Sequence, residues 1–406
     1  MSPLKTFQLV SVPFAVFALS ACQAEPPPPV LYATRDSAGI TIVENAAPVW
    51  GDGEGWTLTE YPVLTIGTAV GSPEYAFQDV RGAVGMPDGS IVVADRGAQH
   101  LQWYDSLGQH LRTLGRKGEG PGEFEGLIWC FRVGDSVLAF DERLQRTVLF
   151  GPDGSQVRTV RLEGGPGMVR GVFGDGSVLM SSVIDRAGSR ALGYQRPNRV
   201  VLRLDSQGRH LDSLPTFPDD EVLIQQLRFG SGGSGFGLMP PPFGRKSVFA
   251  VRGNSFVAGA QNREEIGSYS SAGALQTLLR WPGEDRLVTQ SLIDRRRENE
   301  LGGIEDPDTR RRIEGLMADE VYPDSLPAHG RILFDGAGNL WVESYRMRGS
   351  GVVPWRVFDS QLRWLGSVEV PQGLMVYEVG EDYLLGMSWD EMEVEYIKLF
   401  GLLKAG

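Results

Sequence analysis

The sequence predicts an all-β protein: a six-bladed β-propeller of four-stranded antiparallel blades, with a small helical insertion between blades four and five. Three observations carry this. Glycine makes up 53 of 406 residues, about 13%, against ~7% on average; such a content burdens helices and suits short strands joined by tight turns. One hairpin pattern then recurs six times along the chain, an apolar strand, a turn carrying Gly or Asp, and a second apolar strand. Finally, five copies are followed by a second hairpin and the sixth by a single strand, so the last unit is split, as a closed ring requires. Glycine and proline together stay below the level of low-complexity chains. Length alone would allow two or three domains, but all-β folds hold ~200–250 residues or more as one.

The six copies are VRGAVGMPDGSIVVAD (80–95), IWCFRVGDSVLAFD (128–141), VRGVFGDGSVLMSS (169–182), SVFAVRGNSFVAGA (247–260), RILFDGAGNLWVES (331–344) and LMVYEVGEDYLLGM (374–387). Their turns supply residues that tolerate φ > 0, as hairpins require. With Ile91, Val137, Val178, Phe256, Trp341 and Leu384 taken as equivalent, the intervals are 46, 41, 78, 85 and 43 residues. A repeat of ~40–45 residues is a propeller interval; a pair of β-sandwiches, the alternative architecture, would not repeat as matched hairpins. After the sixth copy comes EYIKLFGLL (395–403) alone, and two amino-terminal segments compete to complete its blade, DSAGITIVEN (36–45) and WTLTEYPVLTIG (56–67).

Before the repeats stands an address. Residues 1–21 carry Lys5, then the apolar run FQLVSVPFAVFALS. That run is too short for the ~20 residues of a membrane span and fits a signal-peptide core. Leu19-Ser20-Ala21-Cys22 resembles a bacterial lipobox, which implies cleavage before Cys22 and its acylation (a thioether diacylglycerol plus palmitate-type chains). An ordinary secretory signal with a chance cysteine is the alternative. Two or three acyl chains anchor stably where one does not, so the implied partner is a lipid bilayer held through Cys22. Gln23 in place of an Asp favours the outer membrane by that family's rule, facing the periplasm. Glu25 and Pro26 to Pro29 form a stiff spacer within a tether of residues 22–35, and the propeller is expected over 36–406.

Loss of 1–21 removes Lys5 alone and leaves a net charge of −13, which disfavours nucleic acid as a partner. With Cys22 acylated, Cys130 has no disulfide partner, and in LIWCF it reads as a buried, inert thiol.

The stretch GRKGEGPGEFEG (115–126) lies between one blade's outer strand and the next blade's inner strand. It resembles the linker of NHL-type repeats. A weaker echo, LTIGTAVGSPEYAFQDV (64–80), precedes the first copy, and other linkers depart from the pattern. The chain as a whole, over 36–404, is similar to six-bladed propeller lipoproteins of bacteria, relatives of NHL and TolB-like propellers. That superfamily includes metal-dependent lyases and lactonases, so a metal-assisted lyase or lactone hydrolase is the competing functional class.

The long intervals mark two insertions, a Gly- and Pro-rich loop over 218–244 and a helical segment over 285–329, LVTQSLIDRRREN and PDTRRRIEGLMADE flanking Gly302-Gly303. Asp306 and Pro307 suit a helix start, and Arg296/Glu300 and Arg310/Glu314 are spaced for same-face ion pairs. Both insertions join an outermost strand to the next innermost strand, so both crowd one end of the channel, where long loops on a rigid scaffold commonly bind. The same face collects candidate ligand-binding residues: Arg81, Asp95, Arg96, Arg116, Lys117, Trp129, Asp141, Arg143, Arg170, Asn262, Arg263, Glu343, Tyr345 and Arg346. An Arg-rich, aromatic-flanked funnel suits a carboxylate, a glycan or a peptide end.

Catalytic patterns are scarce. The four histidines, His100, His110, His210 and His329, form no HxH or HExxH, and no GxSxG is present. A mixed carboxylate site for calcium, built from Asp95, Asp141 and Glu343 around the channel, is the metal arrangement weighed against this, and the Arg residues neighbouring those acids compete with it. GSGGSGFG (230–237) lacks the Lys-Ser/Thr of a phosphate loop. The expectation is a membrane-anchored envelope propeller that binds a peptide, protein or small polar ligand on its insertion-bearing face, with no catalytic residue, metal or cofactor assigned.

Overall fold

The computed structural model describes residues 30–51, 53–182, 192–228, 234–318, 320–346 and 351–404; Cys22 and the signal segment lie outside them. The compact unit Leu31–Gly406 is a six-bladed β-propeller. Blade I pairs Val80–Gly85, Ile91–Asp95, His100–Tyr104 and His110–Leu114 in sequence order. Blade II runs through Leu127–Val133, Ser136–Asp141, Arg146–Phe150 and Gln156–Arg161, and blade III through Gly167–Val172, Val178–Ser182, Asn198–Leu204 and His210–Ser213. Blade IV has Val248–Arg252, Ser255–Gly259, Glu265–Ser270 and Leu275–Arg280; blade V has Ile332–Phe334, Leu340–Glu343, Val352–Phe358 and Trp364–Pro371. Blade VI begins with Met375–Val379, Tyr383–Trp389 and Glu395–Leu403. The first strands neighbour one another in order, and the sixth meets the first.

The ring is closed by burial on both faces of every blade. The second strands are continuously apolar because neighbouring blades cover both sides, and alternate residues go to opposite neighbours. Ile91 and Val93 enter the cluster shared with blade VI, whereas Val92 and Ala94 enter the one shared with blade II. Leu340 and Val342 likewise face blade IV, and Trp341 faces blade VI. Six such clusters occupy the six interfaces. Cys130 is buried in the cluster between blades I and II, where desolvation pushes its thiol pKa up, which is the inert thiol expected.

The seam decides between the two amino-terminal segments. Thr57–Leu58 and Leu64–Ile66 pair antiparallel with Glu395–Leu403, Ile66 opposite Ile397, and complete blade VI. The 36–45 segment does something else. Tyr32–Ser37 and Ile40–Asn45 form a hairpin whose second strand adds parallel to Leu275–Arg280, giving blade IV six strands. Asn45 fastens it, donating to the carbonyls of Arg280 and Leu362 and accepting from Trp364 N.

The 218–244 segment, expected as a loop, carries a hairpin instead. Val222–Arg228 pairs with Ser234–Met239, and Gly193–Gln195, from the connection between the second and third strands of blade III, adds a third strand. The helical insertion contains α1 (Gln290–Leu301) and α2 (Pro307–Ala318). Thr289 caps α1 by accepting from Leu292 N, and Asp306 accepts from Thr309 N at the start of α2. Arg310 pairs with Glu314 as the spacing predicts, while Arg296 reaches Glu320 beyond α2. Leu287 and Ser325 bridge antiparallel at the base, so the chain enters and leaves the insertion side by side. Among the described residues, no helix is long and apolar enough to cross a membrane.

Candidate functional site

The face on which the second strands end is built on a repeated carboxylate device. Asp95 is buried and accepts from the backbone N–H groups of Gln78, Asp79 and Ala98. Asp141 does the same for Glu125, Arg143 and Leu144. Glu343 accepts from Arg331 N and from Arg346. Each acid holds the connection that leads into its own blade's first strand and satisfies donors that would otherwise be buried alone. Asp95 and Asp141, expected as mouth ligands, therefore have their oxygens committed within the fold. Among the described residues no three His, Cys, Asp or Glu side chains converge as a metal site, and the three acids proposed for one are each engaged separately.

Next to this device sit two glutamines with φ near +50°, Gln99 and Gln145. Gln99 accepts from Leu127 N of the next blade, and Gln145 both accepts from Gly167 N and donates to Gly167 O. They stitch blade to blade. The signal was present as Asp-x-x-x-Gln in DRGAQ and DERLQ (95–99 and 141–145).

Between blades I, II and VI, side chains reach across to one another. Trp129 stacks edge-on against Tyr377 of blade VI at 5.7 Å between ring centroids, and Arg132 approaches Glu378 at 3.8 Å. Both contacts pass the first strand of blade I, whose Gly85 leaves room: a Cβ there would collide with the Tyr383 hydroxyl. Burial raises the pKa of Glu378, which accepts from Gly85 N at 2.6 Å. Arg81 and Arg96 share Asp79. Arg116 pairs with Glu123 and stays 80% exposed, and it and Lys117 lie in the 115–126 linker, which Arg146 clips through three carbonyls at 119, 120 and 123. Arg143 sits 3.6 Å from Glu125 and is mostly exposed. Asn262 and Arg263 are exposed.

On the opposite side of the mouth the polar groups are gathered and buried. Arg170 donates to Ser181 Oγ at 2.7 Å, and burial, then the neighbouring Arg199, lowers its pKa to about 10. Arg199 is 4% exposed and binds Asp219 through Nε at 2.8 Å. Glu221 accepts from Tyr194 and from Arg245, and Arg245 continues to Ser325 Oγ at 2.9 Å. Phe243 meets Tyr322 at 6.0 Å between centroids. These last two contacts join the hairpin insertion to the helical insertion.

Two cavities result. One of 240 Å³ lies among Asp220, Met239, Pro240, Pro241 and Lys246. The other, of 190 Å³, lies among Phe243, the α1 residues Leu292, Arg295, Arg296, Asn299 and Glu300, and Tyr345 and Arg346 of blade V. Of the sequence-derived candidates, Tyr345 and Arg346 line this second cavity. Arg295 and Asn299 were missed because the Arg triplet 295–297 reads as solvated helix surface. The pointer was spacing: Leu292, Arg295, Arg296 and Asn299 recur at three and four residues and share one helical face.

No family model and no curated protein matches the chain. Solved structures do resemble it. A Bacteroides vulgatus member of the DUF4221 family is 9% identical, with 87% of this chain and 99% of that one covered and a TM-score of 0.48. A Bacteroides fragilis protein described as exported is 12% identical, covering 89% and 99%, with a TM-score of 0.47. Virginiamycin B lyase of Staphylococcus aureus is 12% identical, covering 86% and 99%, with a TM-score of 0.41. The six-bladed ring rests on the strand pairing of this chain and not on these likenesses.

Proposed function

We propose that this propeller is a bacterial envelope lipoprotein, anchored through acylated Cys22 at the outer membrane and facing the periplasm, that binds a peptide, protein or small polar ligand at the insertion-bearing mouth without catalysis. The observation that carries the binding reading is the meeting of the two insertions over one side of the mouth, Phe243 on Tyr322 and Arg245 on Ser325, with the 190 Å³ cavity between Phe243, α1 and blade V beside them. The anchor reading is supported by the lipobox-like Leu19-Ser20-Ala21-Cys22.

The test is face-specific cross-linking. A photo-reactive phenylalanine analogue at Phe243 is compared with one at Leu107, which is 75% exposed in the turn between the third and fourth strands of blade I, on the opposite face. Cross-links in the native envelope from position 243 alone support the reading; equal labelling from both positions, or none, overturns it. Fractionation with an alkaline wash tests the anchor, because Cys22→Ser is expected to move the protein out of the membrane fraction.

A further inference from the structure

The 190 Å³ cavity between α1 and blade V has polar groups to spare. Arg296 is held by Glu320 at 2.7 and 3.1 Å, and Arg346 by Glu343 and the carbonyls of Gln372 and Leu374. Arg295 differs: among the described residues it has neither an ion pair nor a hydrogen bond, and it stands exposed at the cavity. The Tyr345 hydroxyl and the Asn299 amide, in the same lining, are also without protein partners among the described residues. Burial pushes the Tyr345 pKa up to about 12, so the phenol stays a neutral donor at neutral pH. Phe243 and Leu292 supply apolar walls.

We infer that this cavity takes a carboxylate carried on one apolar group, the chemistry shared by the C-terminal residue of a peptide and by a small free aromatic or aliphatic acid. The argument has three parts. A guanidinium binds a carboxylate through two parallel charge-assisted hydrogen bonds, the strongest polar contact open to it. One uncommitted cation matches a monoanion, whereas a phosphate dianion wants a second cation and both neighbouring arginines are committed. The volume lies below the ~300–1,000 Å³ of pockets for drug-sized ligands, which leaves room for a single residue-sized group between Phe243 and Leu292.

This rests on the reading that the insertion-bearing face binds. The experiment is calorimetric titration of the full soluble chain (residues 23–406) with N-acetyl-phenylalanine, its amide, an N-acetylated heptapeptide ending in phenylalanine, and inorganic phosphate. Saturable binding of the acid is expected, with at least a tenfold loss for the amide, at least a tenfold loss with Arg295→Gln, and about a threefold loss with Tyr345→Phe. Arg295 has no ion pair or hydrogen bond among the described residues and lies exposed on α1, so its replacement is expected to leave the ring intact. Peptide binding as tight as that of the acid identifies a polypeptide end as the source, and exclusion of the peptide identifies a free acid. Equal binding of acid and amide, indifference to Arg295→Gln, phosphate binding as strong as the acid's, or no saturation at ~10 mM would overturn the inference. Those failures combined with cross-linking confined to position 243 would remove the ligand class while leaving the face.

Discussion

His329 gives the sharpest quantitative test of how the insertion is seated on the ring. It is fully buried, its Nδ1–H donates to Gly330 O at 2.9 Å, and its Nε2 has no partner among the described residues. Trp281 meets the ring edge-on, and a Cβ at Gly259 would fall 2.8 Å from Nε2. Burial, with Arg356 and Arg286 nearby, lowers its pKa from 6.5 to about 4. The folded state thus refuses a proton that the unfolded chain accepts. Stability is fully present above the unfolded value near 6.5 and is lost as pH falls through the window down to about 4. Linkage over that gap amounts to about 2 kcal/mol between pH 7 and pH 5, at ~1.36 kcal/mol per unit. His329→Phe keeps the ring against Trp281, and Gly330 O keeps the Gln261 amide donor at 3.0 Å. The assay is urea unfolding followed by tryptophan fluorescence, for both proteins at pH 7, 6 and 5. The variant is expected to gain about 2 kcal/mol on the wild type as pH falls from 7 to 5, the linkage term that it no longer carries. Curves that stay parallel within ~0.5 kcal/mol, the tolerance to which independent effects add, would refute the reasoning. They would mean that the imidazole protonates as readily in the fold as outside it.

Removal of residues 393–406 takes away the strand that joins Tyr383–Trp389 to Leu64–Ile66 and is expected to abolish cooperative unfolding; a well-folded monomer by circular dichroism and light scattering would contradict the seam. Excision of 289–323, with a short turn joining Val288 to Asp324, is expected to leave a folded ring within about 2 kcal/mol of the wild type, the cost of one or two ordinary substitutions. That expectation follows from the bridge at which the chain leaves and rejoins the ring, Leu287 to Ser325, which the excision keeps, and from the absence of buried residues in α1 beside one, Met317, in α2; non-cooperative unfolding of the excised chain would show the helices to be part of the core.

Much of the fold was legible because each second strand must be apolar on both faces. SIVVAD, SVLAFD and NLWVES (90–95, 136–141 and 339–344) state that condition locally, and the repeat states the ring. The hairpin over 222–239 was not, because its glycines and the prolines that follow it at 240–242 weigh as loop although VLIQQLR has a strand's composition. The seam was undecided for a different reason: 36–45 and 56–67 present the same apolar alternation whether the waiting edge belongs to blade IV or blade VI. At the mouth, sequence marks Asp95 and Asp141 as acids at strand ends but says nothing of their burial, so ligand and backbone cap look alike. Arg295 is the converse case, an exposed residue that gains a role only when Tyr345 of blade V and Phe243 of the preceding insertion are brought beside it.

The latch at the seam also orders events in time. Thr57–Leu58 and Leu64–Ile66 emerge early from the ribosome, yet their partner, Glu395–Leu403, is made only after all the other blades have been synthesised. Until then the early strands have no partner to complete, and the loop that must finally close spans almost the whole molecule. Whatever order the blades take, the ring has two unpaired edges until its last strand arrives.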